Sequence, residues 1–95
     1  MIMCNNRYAV IKDVVVVNAL GLHARSAAKI AELAQKAKSK VWIRKDKEKV
    51  DAKSIIDMLT LGCERGSKIQ VIIDDASDID ILDCIVQLVA NGFGE

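Results

Sequence analysis

The feature that most constrains this chain is the order in which its hydrophobic periodicity changes. A β-branched run from Ala9 to Val17 reads as a strand ending at Asn18. Past a loop at Ala19 to Leu22, where Gly21 is free to adopt an unusual backbone, Ala27, Ile30, Ala31 and Ala34 recur at helical spacing, with Leu33 and Ala37 widening the stripe. This helix is expected to end near Lys38. Val41 and Ile43 then alternate with Trp42 and Arg44, and beyond the polar Lys45-Asp46-Lys47 turn a short strand runs from Glu48 to Asp51. Ser54, before Ile55 and Ile56 and with Asp57 three residues on, resembles a capping box in which aspartate replaces Glu or Gln. A short helix follows and stops at Gly62. Ile69, Val71 and Ile73 alternate in a fourth strand between Gly66 and Asp74. Ser77 with Asp80 opens a last helix that carries Ile79, Leu82, Ile85, Val86 and Val89 on one side, and Asn91-Gly92 closes it.

The order is therefore β-α-β-β-α-β-α, two strand-helix-strand units joined by a hairpin. Right-handed crossovers stack all three helices on one face of a four-stranded antiparallel sheet, an open-faced α+β sandwich. Its core must be aliphatic, because the chain is 52% apolar yet has one Trp, one Tyr and one Phe. Ninety-five residues suit one domain, placed at residues 9–95 after an extension at residues 1–8 that carries little pattern.

Composition also narrows the function. The net charge of +1 hides a basic middle from Lys36 to Lys49 and an end where Asp74, Asp75, Asp78, Asp80 and Asp83 dominate. These are read as solvated faces; with no aromatic platform for bases, no nucleic-acid partner is expected. Cys4, Cys63 and Cys84 are odd in number and widely spaced, and with a single histidine they suggest neither a disulfide framework nor a metal site. The start, Met1 to Arg7, has no apolar stretch of signal-peptide length, and Val14 to Val17 falls far short of a membrane span. A soluble, cytoplasmic protein without membrane contact or cofactor is expected.

The chemistry concentrates in Gly21-Leu22-His23-Ala24-Arg25, where a strand gives way to a helix. A helix start offers unpaired N–H groups and the positive end of a dipole, so an anion placed there is stabilised without a dedicated cage. Arg25 adds a forked, permanently charged partner for phosphate. His23 can itself be the nucleophile, since a neutral imidazole keeps one ring nitrogen free and forms covalent intermediates that a second nucleophile relieves. The competing reading of a lone histidine is a surface or capping residue.

Leu20-Gly21-Leu22-His23-Ala24-Arg25 followed by Ala27-Ala28 resembles the active-site signature of the HPr family, the histidine-containing phosphocarriers of the phosphoenolpyruvate-dependent sugar phosphotransferase system. Ala52-Lys53-Ser54-Ile55-Ile56-Asp57-Met58-Leu59-Thr60-Leu61-Gly62 resembles the family's regulatory-serine helix, and the likeness runs from about Lys12 to the end. The resemblance implies a monomeric carrier, not an enzyme. Enzyme I would phosphorylate His23 on Nδ1, Arg25 would stabilise the phosphate, and the group would pass to a IIA domain of a sugar permease. It also implies docking by Ile55, Ile56 and Leu59, at least one of which is expected to be core, and modification of Ser54 by HPr kinase/phosphorylase. Ser26 departs from the family's usual proline, which leaves room for a looser site. Two rival readings are a regulatory paralogue of the nitrogen-related branch and a small-ligand or RNA-binding α+β module; the second leaves the His-x-Arg pattern and Ser54 without a reason.

Overall fold

The computed structural model describes residues 8–95, so of the expected extension only Tyr8 falls within them. The elements are β1 (Val10–Val15), α1 (Ala24–Ala34), β2 (Val41–Lys45), β3 (Glu48–Asp51), α2 (Ile55–Leu59), β4 (Lys68–Ile73) and α3 (Ile79–Ala90), with 3-10 turns at Ala76–Asp78 and Gly92–Gly94. The strands form one antiparallel sheet in the order β1-β4-β2-β3, and β4 pairs with both β1 and β2, Ile73 standing opposite Val10 on one side and Val41 on the other. The expected open-faced sandwich is the observed one.

Alternation decides which face of each strand meets the helices. Val41, Ile43, Ile69, Val71 and Ile73 are fully buried and join Ala27, Ile30, Ala34, Leu82, Ile85 and Val89 in a single aliphatic core. The alanines at positions 27, 31 and 34 let α1 approach its neighbours closely. On the open face Trp42 takes Lys49 4.5 Å and Lys40 5.8 Å from its ring centre and donates its indole N–H to Asp74 at 3.0 Å, so two cations of the basic middle are engaged locally.

Three boundaries differ from the periodicity. First, α1 ends at Ala34 rather than Lys38: Lys36 and Ala37 bond back three residues to Leu33 and Ala34, tightening the last turn. The buried Asp78 carboxylate then accepts the Lys38 and Ser39 N–H groups at 2.9 and 3.0 Å, which turns the chain toward β2. Second, Ser77 does not open α3; its N–H is taken by the Asp75 carboxylate at 2.9 Å in the preceding 3-10 turn. Third, only half of the expected box at Ser54 forms. The Ser54 hydroxyl accepts from Asp57 N–H at 3.2 Å, but the Ser54 N–H donates to the Asp51 carbonyl at 3.1 Å.

Candidate functional site

The site is assembled where the loop after β1 presses against the loop before β4. Gly21 has φ of +69°, and a Cβ there would lie 2.5 Å from the Cys63 carbonyl oxygen, so this position demands glycine twice over. Leu22 N–H donates to the same carbonyl at 2.8 Å, and Asn18 closes the loop from within by donating its side-chain N–H to Gly21 O at 2.7 Å. These bonds fix the entry to α1.

His23 is the N-cap of α1, in extended conformation, and its Nδ1 accepts the Arg25 N–H at 3.3 Å. Ser26 completes the cap: its Oγ accepts the His23 N–H at 2.8 Å and lies 3.1 Å from His23 O and 3.2 Å from Gly21 O, either of which can take its proton. The side chain is fully buried. The expectation of a looser site is thereby overturned, because Ser26 supplies the reciprocal half of a capping box that proline cannot make.

The second ring nitrogen is also engaged. Nε2 lies 2.8 Å from the Glu95 carboxylate, whose other oxygen accepts from Asn18 Nδ2 at 3.0 Å. With Nδ1 accepting and Nε2 facing a carboxylate, the neutral ring carries its proton on Nε2. The Asn18 amide first, and His23 second, hold the Glu95 carboxyl below the usual carboxylate range. Asn18 is buried, and its Oδ1 is the one buried side-chain atom among the described residues without a partner. Glu95 reaches the ring because the chain after α3 hooks back. Gly92, Phe93 and Gly94 have φ of 67°, 60° and 74°, Phe93 plugs the core, and Lys29 Nζ donates to Phe93 O at 2.7 Å.

The remaining predicted residues divide. Arg25 is exposed in the first turn, its guanidinium in no hydrogen bond or ion pair among the described residues, and that turn contains no acidic residue to oppose an anion. Ser54 is the N-cap of α2, which packs against α1. Ile55, Ile56 and Leu59 are all exposed, Ile56 by 75%, so the expectation that at least one is core is wrong; Met58 is the buried residue of α2. Sequence reasoning missed Asn18, Glu95, the capping role of Ser26, and Leu20, which stands 67% exposed three residues before His23. Among the described residues no group of His, Cys, Asp and Glu could hold a metal ion, and no helix is long and apolar enough to cross a membrane.

Residues 10–91 match the family described as PTS HPr component phosphorylation site. The chain is 37% identical over 84 residues to the phosphocarrier protein HPr of Cupriavidus necator, covering 88% of this chain and 94% of the relative. It is 34% identical to that of Treponema pallidum, covering 90% and 98%. Among solved structures, HPr-C-His from Thermoanaerobacter tengcongensis superposes with a TM-score of 0.84 at 32% identity, covering 90% of this chain and 97% of that one.

Proposed function

Because the chain belongs to the HPr family of phosphotransferase-system phosphocarriers, we propose that His23 accepts a phosphoryl group on Nδ1 from phosphoenolpyruvate-charged enzyme I and hands it to IIA components of sugar permeases. The observation that carries this reading is the placement of Nδ1 against the first N–H groups of α1, with Nε2 turned the other way toward Glu95. A phosphoryl group on Nδ1 sits at the positive end of the helix dipole, within reach of the Arg25 guanidinium. In the transfer the Nδ1 lone pair attacks phosphorus as the donor's P–N bond breaks, and the reverse step releases the group to the next nucleophile. The protein acts as a stoichiometric carrier rather than an enzyme, in the cytoplasm and as a monomer.

Docking falls to the exposed Ile55, Ile56 and Leu59 together with Leu20, an apolar surface that loses water against a partner. Ser54 at the cap of α2 is the residue for HPr kinase/phosphorylase. The test is incubation of wild type and His23→Ala with enzyme I and phosphoenolpyruvate, read by intact mass and acid lability, followed by transfer to IIA proteins of sugar permeases and of the regulatory branch. Acid-labile phosphate on wild type alone is expected; the same phosphate on His23→Ala refutes the assignment.

A further inference from the structure

We propose that the helix-free face of the sheet carries a binding site for a small zwitterion of the α-amino acid type, in a cleft lined by Asp13, Arg44, Asp46, Lys68 and Gln70. The inference is independent of the reading of His23 and goes beyond it.

The strand register builds the cleft. Asp13 on β1 stands opposite Gln70 on β4, and Gln70 stands opposite Arg44 on β2, so the three form one row across the open face. Lys68 lies two residues along β4 from Gln70 and therefore on the same face, while Asp46 enters from the turn between β2 and β3. The cleft measures about 320 Å³, at the lower end of the range of about 300–1,000 Å³ for small-ligand sites.

Its charges single it out. Two cations and two carboxylates face one space, yet none of the four pairs with another. Unlike charges directly opposite on neighbouring strands stabilise a sheet by pairing, and here Gln70 stands between them. Its Oε1 accepts from Arg44 Nε at 2.8 Å and its Nε2 donates to Asp13 Oδ1 at 3.0 Å. One amide thus orients a guanidinium and a carboxylate toward the same cleft, at most about 8 Å apart. The two Nη groups of Arg44 and the second oxygen of Asp13 have no partner among the described residues.

A molecule with an ammonium and a carboxylate on one carbon fits that gap. Its carboxylate takes the Arg44 fork and its ammonium donates to Asp13, and with a hydrogen bond of about 2.8 Å at each end it spans about 8 Å. Lys68 and Asp46 repeat the two charges, so the lining is neutral as a whole. A simple anion would face two carboxylates and a simple cation two cations, and only a ligand carrying both signs satisfies all four. Because Gln70 already holds Arg44 and Asp13, less side-chain freedom is lost on binding. The cleft lies on the opposite side of the sheet from α1, so an occupant leaves His23 uncovered. It still adjoins the site loop: Lys45, next to Asp46, donates to Gly62 O at 2.9 Å, one residue before the Cys63 carbonyl that fixes Leu22.

The experiment titrates the 15N-labelled full chain at constant ionic strength with L-alanine and with its two halves, propionate and ethylamine, following the Arg44 Nε–H and Gln70 side-chain signals. Alanine is expected to give saturable shifts with a dissociation constant on the order of 1–10 mM, and each half to bind at least tenfold more weakly. Arg44→Gln and Asp13→Asn, the second of which keeps an acceptor for Gln70, should each weaken alanine at least tenfold, with melting temperature as the control for folding. Absence of saturation by 100 mM alanine, on the order of ten times the weakest affinity expected, overturns the site. Propionate or ethylamine binding as well as alanine overturns its zwitterion chemistry, and full alanine affinity in both variants overturns its location.

Discussion

Replacing Ser26 tests whether the start of α1 is held as the geometry says. In Ser26→Ala the His23 N–H loses its acceptor at 2.8 Å, and the Oγ proton is no longer delivered to Gly21 O or His23 O. Losing one net hydrogen bond removes about 1 kcal/mol, and stranding a half-buried N–H adds about 1 more. The sum, about 2 kcal/mol, agrees with the upper range for removal of a helix cap. For a domain of this size each kcal/mol moves the melting temperature by about 4–8 °C, so Ser26→Ala should melt about 8–16 °C lower. Ser26→Pro loses the same bonds but occupies a first-turn position whose N–H has no partner one turn back within the helix, and its rigidity offsets about 0.4–1 kcal/mol through the unfolded chain. Stability should therefore fall in the order wild type, proline, alanine. Thermal and guanidinium unfolding measure the order, and amide exchange at His23, faster in both variants, locates the effect. An alanine variant as stable as wild type refutes the capping box.

Three further outcomes are expected. Gly21→Ala should destabilise by on the order of 3 kcal/mol in chemical unfolding, since it adds a left-handed penalty to a 2.5 Å clash with a backbone oxygen. Ser54→Asp should leave the melting temperature nearly unchanged, because aspartate caps α2 as well as serine does. It should slow phosphorylation by enzyme I, because the charge lies beside the exposed Ile55; equal rates at limiting carrier would leave Ser54 a structural cap. Finally, the depressed Glu95 carboxyl stabilises the fold above its ordinary value of 4.5, a contribution lost as pH falls through its lowered folded value; in acid titration Glu95→Gln should lose less stability than wild type over that window.

Local pattern carried most of the fold. The alternation in β2 and β4 and the alanine stripe of α1 are read within one element, and each was recovered because burial follows from period alone. The errors fall where a partner distant in sequence intervenes. Asp78 caps the end of α1 across about forty residues, so no window around Lys38 could show where that helix stops. In α2, five residues are too few for periodicity to separate the buried Met58 from the exposed Ile55, Ile56 and Leu59.

The site divides in the same way. The helix start that carries the candidates His23 and Arg25 was legible because it announces itself in a short stretch, whereas the comparison of Ser26 with proline weighed its backbone and not its hydroxyl. Glu95 was beyond reach. Its contact with His23 spans 72 positions and depends on left-handed backbone at three successive residues, one of them phenylalanine. Propensity argues against that conformation at Phe93, and only the core that accepts the ring can enforce it. A local rule broken at the very point that brings a carboxylate within 2.8 Å of His23 Nε2 is what a functional constraint predicts. Relieving it with Phe93→Gly should therefore free Glu95 from the ring as well as remove about 3–5 kcal/mol of packing.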